Sequence, residues 1–171
     1  AGGRELTGHS GYLSGGAGED TISGGSNVDT YIYLSSIESR ILNVDATASG
    51  FDTVTVTQGD IFDYAVDITS FYNEIYYVGQ VPKTTGLELL NQLNGYFANV
   101  TGGNSTGVFG MAVSIGNNRK FLLVDVDADQ QITQDDLIVE LIEVTGIPNH
   151  STQLSLANGN LSFVFTDYPP I

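Results

Sequence analysis

The chain contains no cysteine and no tryptophan, one methionine, four prolines and two histidines. Without cysteine there is no disulfide, no thiolate zinc site and no thiol nucleophile. Cations are nearly as scarce: 5 Lys and Arg stand against 20 Asp and Glu, a formal net charge of −15 and a sequence pI near 4.1. Such a balance repels phosphate backbones and anionic headgroups, so neither nucleic acid nor membrane insertion is expected. No apolar run reaches the 18 residues of a spanning helix. No basic-then-apolar leader opens the chain, which begins at Ala1, so it reads as a processed product or a fragment. Catalytic signatures are missing too. His9 and His150 adjoin Ser10 and Ser151, but neither a Gly-x-Ser-x-Gly elbow nor a His-Glu-x-x-His pair is present. The histidines are expected in exposed turns. Asp60/Asp63 and Glu140/Glu143 read as acids on the solvent face of strands rather than as a glycosidase pair, and no enzymatic activity is expected.

What is present is a core and a surplus of negative charge. The 171 residues are 41% hydrophobic, enough for one domain that buries roughly 70% of its unfolded surface. So many carboxylates repel one another in a compact state unless a cation offsets them.

Glycine is concentrated at the start, with nine of the 21 glycines within the first 25 residues. They belong to a nine-residue repeat. Gly15-Gly16-Ala17-Gly18-Glu19-Asp20-Thr21-Ile22-Ser23 is followed by Gly24-Gly25-Ser26-Asn27-Val28-Asp29-Thr30-Tyr31-Ile32, with Asp20 and Asp29 in phase. Residues 6–14 read as a worn earlier copy. In each unit the glycine-rich half predicts a tight turn, because glycine tolerates positive φ, and the last three residues predict a short strand with its apolar side chain inward. Asn27 stands where the third glycine belongs, and asparagine also visits the left-handed region.

This tandem, with the aromatic and Ser-rich exit Asp29-Thr-Tyr-Ile-Tyr-Leu-Ser-Ser-Ile-Glu-Ser39, resembles the RTX family, the calcium-dependent glycine-rich nonapeptide proteins exported by bacterial type I secretion. The resemblance covers residues 6–39. It implies a parallel β-roll in which successive units alternate sides, with Ca2+ held between turns by backbone oxygens and aspartates. The implied ligands are Gly16, Gly18 and Asp20, sharing an ion with the segment around Ser35 to Glu38, and Gly25, Asn27 and Asp29, paired with the loop near Gly8. The remainder is similar, in a general way, to calcium-dependent bacterial surface-layer proteins.

A second acidic segment lies at 125–136, which holds five of the 13 aspartates and no cation. Asp125, Asp127 and Asp129 alternate as in the first half of a twelve-residue calcium loop. Gln131 offers a carbonyl at the seventh position, Ile132 is the apolar eighth, and Asp136 stands where a bidentate acid is needed. Gln130 replaces the turn glycine, and Asp136 is one methylene shorter than glutamate; both changes weaken or reshape the site. Phe121 to Val124 enters as a strand, which predicts a β context.

Period-two patterning marks further strands at 51–57, 64–68, 72–81, 111–115, 121–124, 137–142 and 161–165. One helix is expected, capped by Thr84 or Thr85 and striped by Leu87, Leu90, Leu93 and Phe97. The expected architecture is all-β: a short parallel β-roll over 1–40 continuing into a β-sandwich-like body with one helix over 41–171. The expected role is a non-enzymatic, secreted, calcium-binding module that folds on Ca2+ and serves cell-surface assembly, as a self-associating layer or filament, or type I secretion of a larger protein. The alternative is a calcium-stabilised carbohydrate-binding module using the tyrosines of 71–77 as a polysaccharide platform.

Overall fold

A computed structural model describes residues 5–7, 11–47, 49–57, 59–65, 68, 70–78, 85–101, 107–115, 119–143, 150–157 and 160–167. Gly8, His9, Pro148, Asn149 and the 168–171 tail lie outside the described residues, as do the side chains of Tyr72, Tyr76 and Tyr77. The described residues are mostly strands, with a single α-helix among them, arranged in two sheets.

The first six strands, β1 (Glu5–Thr7), β2 (Tyr12–Leu13), β3 (Thr21–Ser23), β4 (Thr30–Tyr33), β5 (Thr53–Val56) and β6 (Ile61–Tyr64), alternate between the sheets. β1, β3 and β5 pair in parallel in one sheet, and β2, β4 and β6 in the other. The chain therefore crosses from sheet to sheet after every strand. β3 to β6 each begin directly after an aspartate and bury apolar side chains, as with Ile22 in β3 and Tyr31 in β4, whereas Leu6 of β1 and Leu13 of β2 are partly buried.

The later strands extend both sheets. β7 (Ser70–Val78), β8 (Phe109–Ile115), β9 (Arg119–Asp125) and β10 (Leu137–Glu143) complete a seven-stranded sheet ordered β1-β3-β5-β10-β9-β8-β7. β11 (His150–Ala157) and β12 (Asn160–Asp167) form a hairpin that joins β6, giving the five-stranded order β11-β12-β6-β4-β2. His150 thus opens a strand, where a turn was expected, because its backbone faces Asp167 in the β11–β12 ladder. Strands on both sides of residue 40 share sheets and a core. β5 pairs with β3 on one edge and with β10 on the other.

Two apolar clusters explain the composition of the central strands. One joins Ile22, Val54, Val56, Leu122, Val124, Val139 and Leu141 of the larger sheet to Tyr31, Tyr33, Phe62 and Tyr64 of the smaller. The other covers the opposite face of the larger sheet, where Phe121, Leu123 and Ile138 meet Leu89, Leu90, Leu93 and Phe97 of the helix α1 (Gly86–Thr101). β9 is therefore buried on both faces, which is why Phe121-Leu-Leu-Val is an unbroken apolar run rather than an alternating one. Thr85 caps α1: its hydroxyl accepts from the Glu88 amide at 3.2 Å, and Glu88 accepts in return from the Thr85 amide at 2.9 Å. This reciprocal capping box is worth about 1 kcal/mol per cap.

Candidate metal centres

Carboxylates enter the crossing segments in two columns. In the larger sheet, Asp20 and Asp52 precede equivalent residues of β3 and β5; in the smaller, Gly11, Asp29 and Asp60 precede β2, β4 and β6. Each column is stitched by one rule: a carboxylate oxygen accepts the backbone N–H of the residue that precedes it in the column. The Asp20 amide donates to Asp52 Oδ1 at 2.8 Å, Asp29 to Asp60 Oδ1 at 2.9 Å, and Gly11 to Asp29 Oδ1 at 3.0 Å. Asp52 and Asp60 are thus members of the columns that the nonapeptide pattern did not reveal, and Asp60, expected on the solvent face of a strand, is buried. The available signal was an Asp followed by Thr or Ile and then an apolar residue, at 20, 29, 52 and 60, once constant spacing is given up.

The remaining oxygens divide the aspartates into caps and candidate ligands. Asp52 spends its second oxygen on the Tyr33 hydroxyl at 3.0 Å, and Asp60 accepts from the Thr57 amide at 2.7 Å. The Tyr31 hydroxyl accepts from the Gly24 amide and donates to the Thr55 carbonyl at 2.7 Å, 3.4 Å from Asp60 Oδ2. Asp29 differs: with 1% of its surface exposed, its Oδ2 has no hydrogen-bond partner. Glu38 Oε2, in the 3-10 turn Ser36–Glu38 after β4, is likewise buried and without one. A buried carboxylate oxygen left bare is costly. Desolvation raises the Glu38 pKa, and raises that of Asp52 to about 7, where burial outweighs the hydrogen bonds from Asp20 and Tyr33 that lower it. Burial raises Asp60 as well.

The glycine pairs serve two separate needs. Gly16, Gly18 and Gly25 adopt positive φ of 79°, 127° and 98°. Gly15 and Gly24 do not; they are glycine because the aspartate five residues later lies on their Cα. A Cβ on Gly15 would stand 2.5 Å from Asp20 Oδ2, and one on Gly24 would fall inside the Asp29 carboxylate. Asn27 is not left-handed, so the second turn is made without the conformational freedom expected of it. Its carbonyl sits 3.4 Å from Thr57 Oγ1 of the neighbouring crossing segment.

The acidic loop between β9 and β10 is a second centre. Asp125, Asp127 and Asp136 each place a carboxylate oxygen within 4.8 Å of the others; Asp125 and Asp136 are buried and Asp127 is exposed. Two oxygens on opposite sides of a Ca2+ lie roughly 4.6–5.2 Å apart, so this triad can close on such an ion. Backbone donors hold it: the Gln130 amide to Asp125 Oδ2 at 2.9 Å, Val126 to Asp136 Oδ1 at 2.9 Å, and Thr133 to Asp136 Oδ2 at 2.7 Å. Asp129 faces another way. Its Oδ1 accepts the Gln131 amide at 2.8 Å and is not in the triad, and Gln131 is exposed.

Gln130 nevertheless makes the turn that glycine makes in such loops, at φ 70°, and Ala128 is also left-handed at φ 59°. Beneath, Ile132 is buried against α1, and its amide donates to Asn94 Oδ1 at 3.1 Å. Burial, the largest cause, raises both Asp125 and Asp136 to about 6, against the backbone donors that lower them. At neutral pH Asp125 and Asp136 are therefore mostly ionised, and few protons must leave them for a cation to enter.

No family model matches this chain, and no curated protein or solved structure matches it either.

Proposed function

We propose that this protein is a non-enzymatic, extracellular calcium-binding module of the RTX type, which folds on Ca2+ and supports surface assembly or type I secretion of a larger protein. In this reading the coil of alternating parallel strands is a short β-roll, and the later strands are a sandwich-like body built on its end. The observation that carries the proposal is the convergence of Asp125, Asp127 and Asp136 oxygens within 4.8 Å. The bare, buried oxygens of Asp29 and Glu38 support it at the crossing segments. When bound, Ca2+ supplies the positive charge that these crowded acids lack. The chain's own part is to hold the carboxylates in place through amides and tyrosine hydroxyls.

Energetics favour an extracellular setting. Modules of this kind bind Ca2+ at about 10⁻⁴–10⁻³ M, and a site held a hundredfold above its dissociation constant adds roughly 2.7 kcal/mol to stability. Against a total of about 5–15 kcal/mol, one or two such ions decide whether the domain is folded. In a cytoplasm poor in free calcium the acids repel one another and the chain stays loose; once exported it closes. Lateral packing of folded copies follows once the charge is neutralised. Circular dichroism and size-exclusion chromatography with and without chelator test the proposal: loss of sheet signal and of assembly on chelation supports it, and identical behaviour in both refutes it.

A further inference from the structure

The two centres are joined by one short segment. The connection 34–52 between β4 and β5 is long for a compact domain; apolar burial anchors it at Ile41 and Phe51, with Val44 partly buried against the same cluster, while Leu34, Ile37 and Leu42 are exposed. Apart from Ile41, what fixes residues 36–42 is polar. On one side, Ser39 Oγ accepts the Asp52 amide at 2.8 Å and donates to the Ile138 carbonyl, and the Ile138 amide returns to Ser39 O at 3.0 Å. On the other, Arg40 Nη1 pairs with Asp135 Oδ1 at 3.3 Å, and Gln134 Nε2 donates to Ile41 O and Leu42 O at 3.4 and 3.5 Å. Gln134 and Asp135 immediately precede the triad's Asp136. The charges of Glu38, inside the segment, and of Asp20 both act on Asp52, and those of Asp136 and Glu38 both act on the buried Tyr64 hydroxyl.

We propose that segment 36–42 is a clasp shared by the acidic loop and the Asp20/Glu38 edge, so that divalent-cation binding at the two places is positively cooperative. This rests on the calcium reading above. Ordering a segment of this length costs about 1 kcal/mol per residue in backbone freedom. The first ion to bind meets that cost, and the second finds the clasp already set. Charge alone predicts the opposite sign, since a first cation weakens the field that attracts a second. The sign of the coupling therefore separates the two mechanisms.

The test is calcium-dependent amide hydrogen exchange on the full chain, reading β3 and β4 for the edge and 126–136 for the loop. Four forms are compared: wild type, Asp127→Asn, Arg40→Gln/Gln134→Ala, and all three changes together. The ties are partly exposed, so these variants fold, and far-UV circular dichroism checks it. The expected result is that Asp127→Asn raises the calcium midpoint for protection of β3 and β4 about tenfold when the ties are intact, and less than about twofold when they are cut. A midpoint that Asp127→Asn leaves unchanged or lowers, or raises equally in both backgrounds, overturns the clasp while leaving the calcium reading in place. A wild-type chain whose amides ignore calcium at both places overturns both.

Discussion

Gly24→Ala is the substitution for which the structure gives the sharpest expectation. A methyl group there overlaps the Asp29 carboxylate and lies 2.6 Å from the Asp29 Cβ, about 1 Å inside ordinary carbon contact. Asp29 cannot simply turn away, because its other oxygen holds the Gly11 amide at 3.0 Å and its own amide is held by Asp60. Overpacking of this kind costs about 1–3 kcal/mol, and losing the charge-assisted bond to Gly11 about 1.5–3 kcal/mol. The reduced freedom of the unfolded chain returns about 0.4–1 kcal/mol. The net expectation is a loss of about 1.5–5.5 kcal/mol in urea unfolding without calcium. A double-mutant cycle isolates the cause. In an Asp29→Gly background, where both the carboxylate and its Cβ are gone, Gly24→Ala should be neutral or slightly stabilising; in Asp29→Ala most of the steric cost should persist. A Gly24→Ala protein within 0.5 kcal/mol of wild type, or one equally destabilised in both backgrounds, refutes the close-approach argument.

Three further outcomes are expected. Ser39→Ala leaves the Asp52 amide and the Ile138 carbonyl without the hydroxyl that joins them, and should cost about 2–3 kcal/mol by denaturant unfolding, whereas exposed Ser26→Ala should cost under about 0.5 kcal/mol. Gln130→Gly relieves a left-handed residue worth about 1–2 kcal/mol of strain, partly offset by a freer unfolded chain, so the loop should bind calcium more tightly by calorimetry. The pH dependence should reverse sign with calcium. Asp125 and Asp136 stand near 6 and Asp52 near 7, above their unfolded values, so their stabilising effect is complete below about pH 4 and lost as pH rises through 6 to 7. Cation-free protein should become more stable from about pH 7 to about pH 5, while protein in saturating calcium should lose stability over the same interval, as protons compete with the ion; equal slopes would contradict this.

Local pattern carried much of the fold. The apolar run Phe121–Val124 and most of the helix stripe depend only on periodicity and burial and appear where expected. Leu90, Leu93 and Phe97 are buried, but Leu87 is 49% exposed and Leu89 takes the buried place instead, because the sheet meets the helix face on one side of the expected stripe. Of the strand expected at 64–68, Tyr64 closes β6, whose register comes from β4, where Tyr33 faces Tyr64, and residues 66 and 67 lie outside the described residues. β11 has a weak signal of its own, since His150-Ser-Thr-Gln alternates polar with polar, and it exists through its hairpin with β12. The same long-range pairing hides Asp52 and Asp60: the interval from Asp29 to Asp52 is far from nine residues, yet the ladders place both in the columns begun by Asp20 and Asp29. Sequence spacing identified the acidic loop because all of its donors are local, within 125–136. It could not show that Asp129 turns out of the triad, or that Asn94 and Arg40, distant in sequence, fix the loop's position.

Direct calorimetric titration with Ca2+ of wild-type protein and of Asp127→Asn, whose exposed side chain can change without disturbing the core, asks most plainly whether these carboxylates exist to hold an ion. Uptake by wild type in the range of about 10⁻⁴–10⁻³ M, with one binding event lost or markedly weakened in the variant, is the predicted result. Absence of binding heat in wild type at neutral pH, or an isotherm that Asp127→Asn leaves untouched, would contradict it.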